Sequence, residues 1–161
     1  MKRITTILIG LVLLALGGLA IFVYANRPSD EQQIQIALDD AIRAARNGEP
    51  GPVIDFISGR ATLDGEGGAS RGDIGKYIKQ SKPDVVVLQK KPTIHGDKAT
   101  IMSPVKVTAR ILTMEQSYEL GQVRIDLEKE SATQWGLFPT TKWRVVSVQT
   151  GEINSRELIG Q

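Results

Sequence analysis

The sequence predicts an α+β fold behind an N-terminal membrane-spanning helix, and three observations predict it. An apolar run without a charge extends from Ile4 to Tyr24. Apolar residues then recur at three- and four-residue spacing from Ile34 to Ala45. After Pro83 the period falls to two and stays short as far as Thr150. Helices first and strands afterwards is the order of an α+β domain, here N-terminal helices packed on an antiparallel sheet.

The first run matches the roughly 20 apolar residues that cross a bilayer as a helix. Lys2 and Arg3 precede it and only Arg27 follows closely, so the positive-inside bias puts the N-terminus in the cytoplasm. Two fates remain open for the segment. A signal peptidase could cut after Ala25, since Val23 and Ala25 suit such a site. The length of the run, and Phe22, Val23 and Tyr24 at its end, favour an uncleaved anchor. Residues 1–27 are thus expected to be anchor and joint, and residues 28–161 one domain. The expected location is the cell membrane, single-pass, with the C-terminal domain extracytoplasmic.

About 135 residues follow the run, enough for one buried core and too few for two. Of the 20 basic residues two, Lys2 and Arg3, precede the run, so the remainder carries 18 against 18 acidic ones. A neutral domain has no electrostatic footprint for a polyanion, which excludes nucleic acid as the expected partner. The chain has no cysteine, so disulfides, thiolate metal sites and a lipid-modified cysteine are excluded.

Ser29 with Gln32 three residues on has the capping-box pattern, and Asp30 and Glu31 fall where the helix dipole favours acids. The stripe of Ile34, Leu38, Ala41, Ile42 and Ala45 makes an amphipathic helix that ends near Asn47 and Gly48. Val53, Ile54, Phe56 and Ile57 predict a short second helix stopped by Gly59. Six glycines between Gly59 and Gly75 predict a mobile loop. It is not a phosphate loop, because position 70 is Ser70 and no Ser or Thr follows Lys76. The Arg71, Gly72, Asp73 triplet is too short to carry meaning. Asp73 to Ser81 reads as a third helix, with Pro83 beyond its end.

Asp84 to Lys91 carries Val85, Val86, Val87 and Leu88, a strand apolar on both faces and therefore expected inside the sheet. Lys90 and Lys91 next to it read as a solvated edge device. His95, Gly96 and Asp97 read as a turn. Ala99, Ile101, Val105, Val107 and Ala109 alternate with polar residues in the next strand, where Pro104 implies an edge or a bulge. Val123, Ile125 and Leu127 define a third strand, with Gly121 marking a bulge near its start. Ala132 to Thr141 is expected to be a long turn. Lys142 to Thr150 closes the sheet, and Leu38, Ile42, Ile54, Val107, Ile125, Trp143 and Val145 are expected to share one core.

This order of elements, with the run Lys-Trp-Arg-Val-Val-Ser-Val from Lys142 to Val148, resembles the nuclear transport factor two-like superfamily, also called SnoaL-like, over roughly residues 29–152. The resemblance implies a cone, with a long N-terminal helix and shorter ones in the concave face of a strongly curved sheet. It implies a choice of functions as well, because the superfamily holds isomerase-like and dehydratase-like enzymes beside non-catalytic binding and assembly domains.

Catalysis in such a cone needs an acid or base whose pKa is moved by burial. His95, the sole histidine, sits among turn residues. Asp55 is expected to face solvent, and Asp126 alternates with apolar neighbours and so points to the polar face. No catalytic residue, metal site or cofactor is therefore expected. Tyr77 is placed at a cavity mouth and Trp135, Leu137 and Phe138 at its rim, as ligand-binding residues for a small apolar molecule; Trp143 is core. The expected function is that of a membrane-anchored, extracytoplasmic, non-catalytic binding or assembly module of the bacterial envelope. Its partners would be the membrane through residues 4–24, an envelope protein or a second copy, and the apolar ligand. The alternative is a pocket enzyme doing acid/base chemistry of isomerase or dehydratase type on a small hydrophobic substrate.

Overall fold

The computed structural model describes residues 28–67, 70–111, 114–134 and 138–151. The expected spanning helix, residues 4–24, lies outside the described residues. Among those described, no helix is long and apolar enough to cross a membrane. The chain divides into two compact units, Met1–Asp30 and Glu31–Gln161, and the second carries the fold.

Helix α1, Asp30–Asn47, begins right after Ser29 and buries Ile34, Leu38, Ala41, Ala44 and Ala45. It stops at Gly48, whose φ of 77° is one that glycine adopts without a Cβ penalty. Gly48 and Glu49 donate their N–H groups to Ala45 and Ala44, closing the end of the helix. Helix α2 is Pro50–Phe56, and Phe56 is buried. The expected helix through Ile57 to a stop at Gly59 is therefore too long, because the helix ends at Phe56, and Ile57 and Gly59 belong to strand β1, Ile57–Leu63.

Strand β1 turns back into β2, Glu66–Gly67, with Thr62 opposite Gly67. Asp64 and Gly65 make the turn at φ 51° and 83°, a two-residue hairpin connection that requires positive φ at both positions. The expected loop from Gly59 is therefore in part a hairpin. Asp64 also fastens it to the sheet. Its carboxylate accepts the Thr150 N–H at 2.6 Å and the Thr150 hydroxyl at 2.7 Å.

Helix α3, Arg71–Ser81, is capped by Ser70, whose side chain accepts the Asp73 N–H. Strands β3 (Asp84–Val87), β4 (Thr93–His95), β5 (Lys98–Ile111), β6 (Met114–Gln134) and β7 (Phe138–Thr150) follow. The sheet order is β2-β1-β7-β6-β5-β3, with β4 also paired to β5.

Four expectations need correction here. The sheet is mixed, because β1 runs parallel to β7 and joins the sheet from the helical half of the chain. Strand β3 is at the edge and Val86 is 44% exposed, so its valine run reflects β-propensity without double burial. Strand β6 is 21 residues long, and the expected turn from Ala132 shrinks because Gln134 already pairs with Phe138. Ile54 stays out of the main core, its Cδ1 reaching α3 beside Gly75.

The bulge was legible. Pro104 stands opposite two residues, Gly121 and Gln122, between the pairs Ser103–Val123 and Val105–Leu120. It sits mid-strand, because β6 begins earlier than its alternation revealed. The core joins Ile34, Leu38 and Ala41 of α1, Phe56, and the inward residues Ile101, Val123, Ile125, Leu127, Trp143 and Val145 of the sheet. Ile42 and Val107 pack against it, partly buried.

Candidate functional site

Side-chain alternation gives the sheet two unlike faces. Inward, Ile34, Leu38, Phe56, Leu127 and Trp143 fill the space between helices and strands. Among the described residues the buried polar side chains are three serines, Ser58, Ser81 and Ser103. Each is satisfied. Ser58 donates to Glu130, Ser81 to the Tyr77 carbonyl and Ser103 to the Pro104 carbonyl. No buried side-chain nitrogen or oxygen among these residues lacks a partner.

The outward face of β6 carries Arg124, Asp126, Glu128 and Glu130, which alternate with the buried Val123, Ile125 and Leu127. The cross-strand neighbours of the two glutamates bear the opposite charge. Glu128 faces Lys98 on β5 and Arg144 on β7, and Glu130 faces Lys142. Arg144 is the hub. Its Nε donates to the Asp55 carbonyl at 2.9 Å, Nη2 to the Asp55 carboxylate at 3.0 Å and Nη1 to Glu130 at 3.3 Å. Lys142 reaches Asp55 at 2.6 Å, and Arg60 binds Glu128 and Glu130. Helix α2, β1, β6 and β7 are thereby tied by one network.

The network sets the titration of its acids. The Lys142 hydrogen bond, then Arg144, hold Asp55 below the ordinary aspartate range against a partial desolvation. Glu130 is likewise held low, chiefly by the Ser58 hydroxyl and then by Arg144 and Arg60. Both are stabilised as carboxylates, the opposite of a general acid waiting with a raised pKa. Asp126 accepts the Thr100 hydroxyl at 2.7 Å and Arg124 Nε at 3.0 Å, and it raises the Arg124 pKa further.

Each residue singled out in the sequence now has a place. Asp55 faces solvent, though within an ion cluster, and Asp126 lies on the polar face. His95 is the exposed last residue of β4, just before the turn at Gly96 and Asp97. Tyr77 lies on α3, 49% exposed. Trp143 is core at 3% exposure, with Lys129 Nζ 5.1 Å from its ring centroid. Phe138 opens β7 opposite Gln134, whereas Trp135 and Leu137 lie outside the described residues. The structure does not gather these positions into one described pocket. Among the described residues no group of three or more His, Cys, Asp or Glu is placed to hold a metal. The Arg144 hub was missed because cross-strand partners depend on register, although alternating acids on β6 and alternating bases at Lys142 and Arg144 were visible.

A long helix and two short ones against one face of a curved mixed sheet is an arrangement with solved counterparts. An NTF2-like superfamily protein from Salmonella enterica is similar at 15% identity and TM-score 0.55, covering 81% of this chain and 95% of that one. A ketosteroid isomerase-like protein from Erwinia carotovora matches at 15% identity and TM-score 0.54, over 80% and 99% of the two chains. The fold is nuclear transport factor 2-like. An NTF2-like protein with a cystatin-like fold from Novosphingobium aromaticivorans agrees, at 16% identity and TM-score 0.50 over 91% and 97%. No protein-family model and no curated protein matches the sequence. At these identities what is shared is the nuclear transport factor 2-like fold, which serves catalytic and non-catalytic proteins alike.

Proposed function

We propose that this chain is a membrane-anchored, extracytoplasmic binding or assembly module of the bacterial envelope, held by residues 4–24 and without catalytic activity of its own. The observation that carries the non-catalytic part is the composition of the interior. Among the described residues it holds three satisfied serines and no ionisable side chain. Acid/base catalysis typically gains about 100- to 10,000-fold from a positioned group with a matched pKa. The carboxylates with displaced titration, Asp55 and Glu130, are outward and already paired. The anchor rests on the apolar run and on Lys2 with Arg3. The ligand-binding role of Tyr77, Trp135, Leu137 and Phe138 rests on aromatic and apolar residues at an expected cavity mouth, suited to a small apolar ligand.

Crosslinking of the full chain in its native membrane should recover a defined envelope protein or a second copy, and protease added outside spheroplasts should remove residues 28–161 and leave a short membrane fragment. A domain that survives in intact spheroplasts, or a soluble chain starting at Asn26, would overturn the anchor. The rival reading, an isomerase- or dehydratase-type pocket enzyme acting on a small hydrophobic substrate, draws on the likeness to the Erwinia ketosteroid isomerase-like protein. Single replacement of His95, Asp55 and Tyr77 separates the two. Loss of a screened turnover in any one variant that still folds would establish the enzyme.

A further inference from the structure

We propose a second binding site on the outer face of the sheet, for a small organic oxyanion: a carboxylate or phosphate group carried on a compact organic body. It stands apart from the interior and does not depend on the reading above.

The site is a depression of about 600 Å³ between β4 and the β5–β6 ladder. Pairing of Thr93 with Thr100 and of Met102 with Arg124 lays these residues side by side across three strands. Two cations and an imidazole enter the lining from three separate segments: Lys91 from the β3–β4 connection, His95 from β4 and Arg124 from β6. No acidic residue lines it. Several cations elsewhere on this face have acidic partners. Lys98 meets Glu128, Lys142 meets Asp55, and Arg144 meets Asp55 and Glu130. With Arg124 already held by Asp126, Lys91 leaves this lining with a net positive charge.

Arg124 is also pre-oriented. Its Nε lies 3.0 Å from both carboxylate oxygens of Asp126, which is itself held by the Thr100 hydroxyl. Among the described residues nothing engages the Arg124 Nη groups, and neither Lys91 nor the His95 ring has a side-chain partner. A guanidinium fixed through one edge presents the other as a planar donor pair, the geometry that oxyanions accept. Asp126 offsets one charge, so Lys91 supplies the remaining attraction.

The ligand is more than a bare ion. Met102, 44% exposed, gives the depression an apolar floor. A second hollow of about 360 Å³ shares Thr100 and Arg124, but Asp126 and Glu128 line it as well, so it does not extend the site for an anion. An anionic head at Lys91 and Arg124 lays an apolar body across Met102, in a volume within the usual small-molecule range.

The test is calorimetric titration of the full chain in a non-ionic detergent at low salt, with phenyl phosphate and with benzoate. At least one should bind at a single site with Kd on the order of 0.1–1 mM. Lys91→Gln and Arg124→Gln should each weaken it about 10-fold, the loss of one charge-assisted hydrogen bond. Lys79→Gln, which removes an exposed charge from α3, should change it less than about twofold. Because Arg124→Gln also loosens Asp126, the decisive variant is Lys91→Gln, whose melting temperature should match that of the parent chain. Dioctanoyl phosphatidic acid distinguishes the source: displacement of phenyl phosphate at tenfold lower concentration would name a lipid headgroup, and weaker competition a soluble acid. Failure of both probes to saturate at about 10 mM, or equal weakening by Lys79→Gln and Lys91→Gln, would overturn the proposal.

Discussion

The two faces of strand β6 are built from alternate residues of one run and hold the molecule together in different ways. Val123, Ile125 and Leu127 point inward and are 3%, 8% and 1% exposed. Asp126, Glu128 and Glu130 point outward and find Arg124, Lys98, Arg60 and Arg144. Inward, stability comes from area removed from water, which is non-directional and large. Outward, it comes from charges that water also satisfies well, so each pair contributes little while the network fixes which strands lie together. The inner face thus supplies stability, and the outer face supplies register, above all the parallel seam of β1 on β7.

The widest gap between the faces should appear on truncation of Trp143. Trp143→Ala should cost about 3–5 kcal/mol by chemical denaturation, as large aromatic truncations in cores do. A melting temperature equal to that of the parent chain would show that the inner face does not depend on it. The outer counterpart is Arg144→Ala, expected to cost about 1–3 kcal/mol, because it leaves Glu130 and the Asp55 carbonyl short of a donor. A loss as large as that of Trp143→Ala would collapse the contrast between the faces.

Acid should separate the faces next. Asp55 and Glu130 have folded-state pKa values below their unfolded ones. Their contribution is therefore present above the unfolded carboxylate range and is lost as pH falls through the lower folded values. Melting temperature should decline from about pH 5 downward, and Glu130→Gln should flatten that decline. A variant with the same acid slope as the parent would remove Glu130 from the account. The smallest effect is expected for Lys90→Ala. It breaks the 2.6 Å pair with Asp39, both side chains being well exposed, and should cost less than about 1 kcal/mol in a denaturation curve.

How far the sequence announces each region follows the same division. The apolar stripe of α1, the strand at Ala99–Ala109 and the bulge at Pro104 and Gly121 are local patterns, and the structure agrees with them. The β1–β2 hairpin was missed because its glycines read as a loop, although Asp64-Gly65 is the dipeptide that a tight hairpin turn prefers. The parallel pairing of β1 with β7 joins residues more than 80 positions apart, and no periodicity reports that. The same holds for candidate binding residues. Lys91 and His95 were visible singly, as an edge lysine and a turn histidine, but their shared wall with Arg124 exists only once β4, β5 and β6 are in register.

Gly121 gives the chain a place where its length can change without consequence for which way anything faces. Inward positions on β6 run Leu127, Ile125, Val123 and then Leu120, an odd sequence that turns even across one surplus residue. A deletion of Gly121 would merely iron out that hitch, leaving Leu120 still opposite Val105. A deletion of Arg124, three residues along, would transpose hydrophobic and charged residues for the rest of the strand. What the shorter chain would forfeit is curvature, since a bulge bends the strand that contains it and sharpens the local twist. Length polymorphism in this hairpin should therefore be tolerated at the hitch and nowhere near it, and its mark would be a flatter sheet.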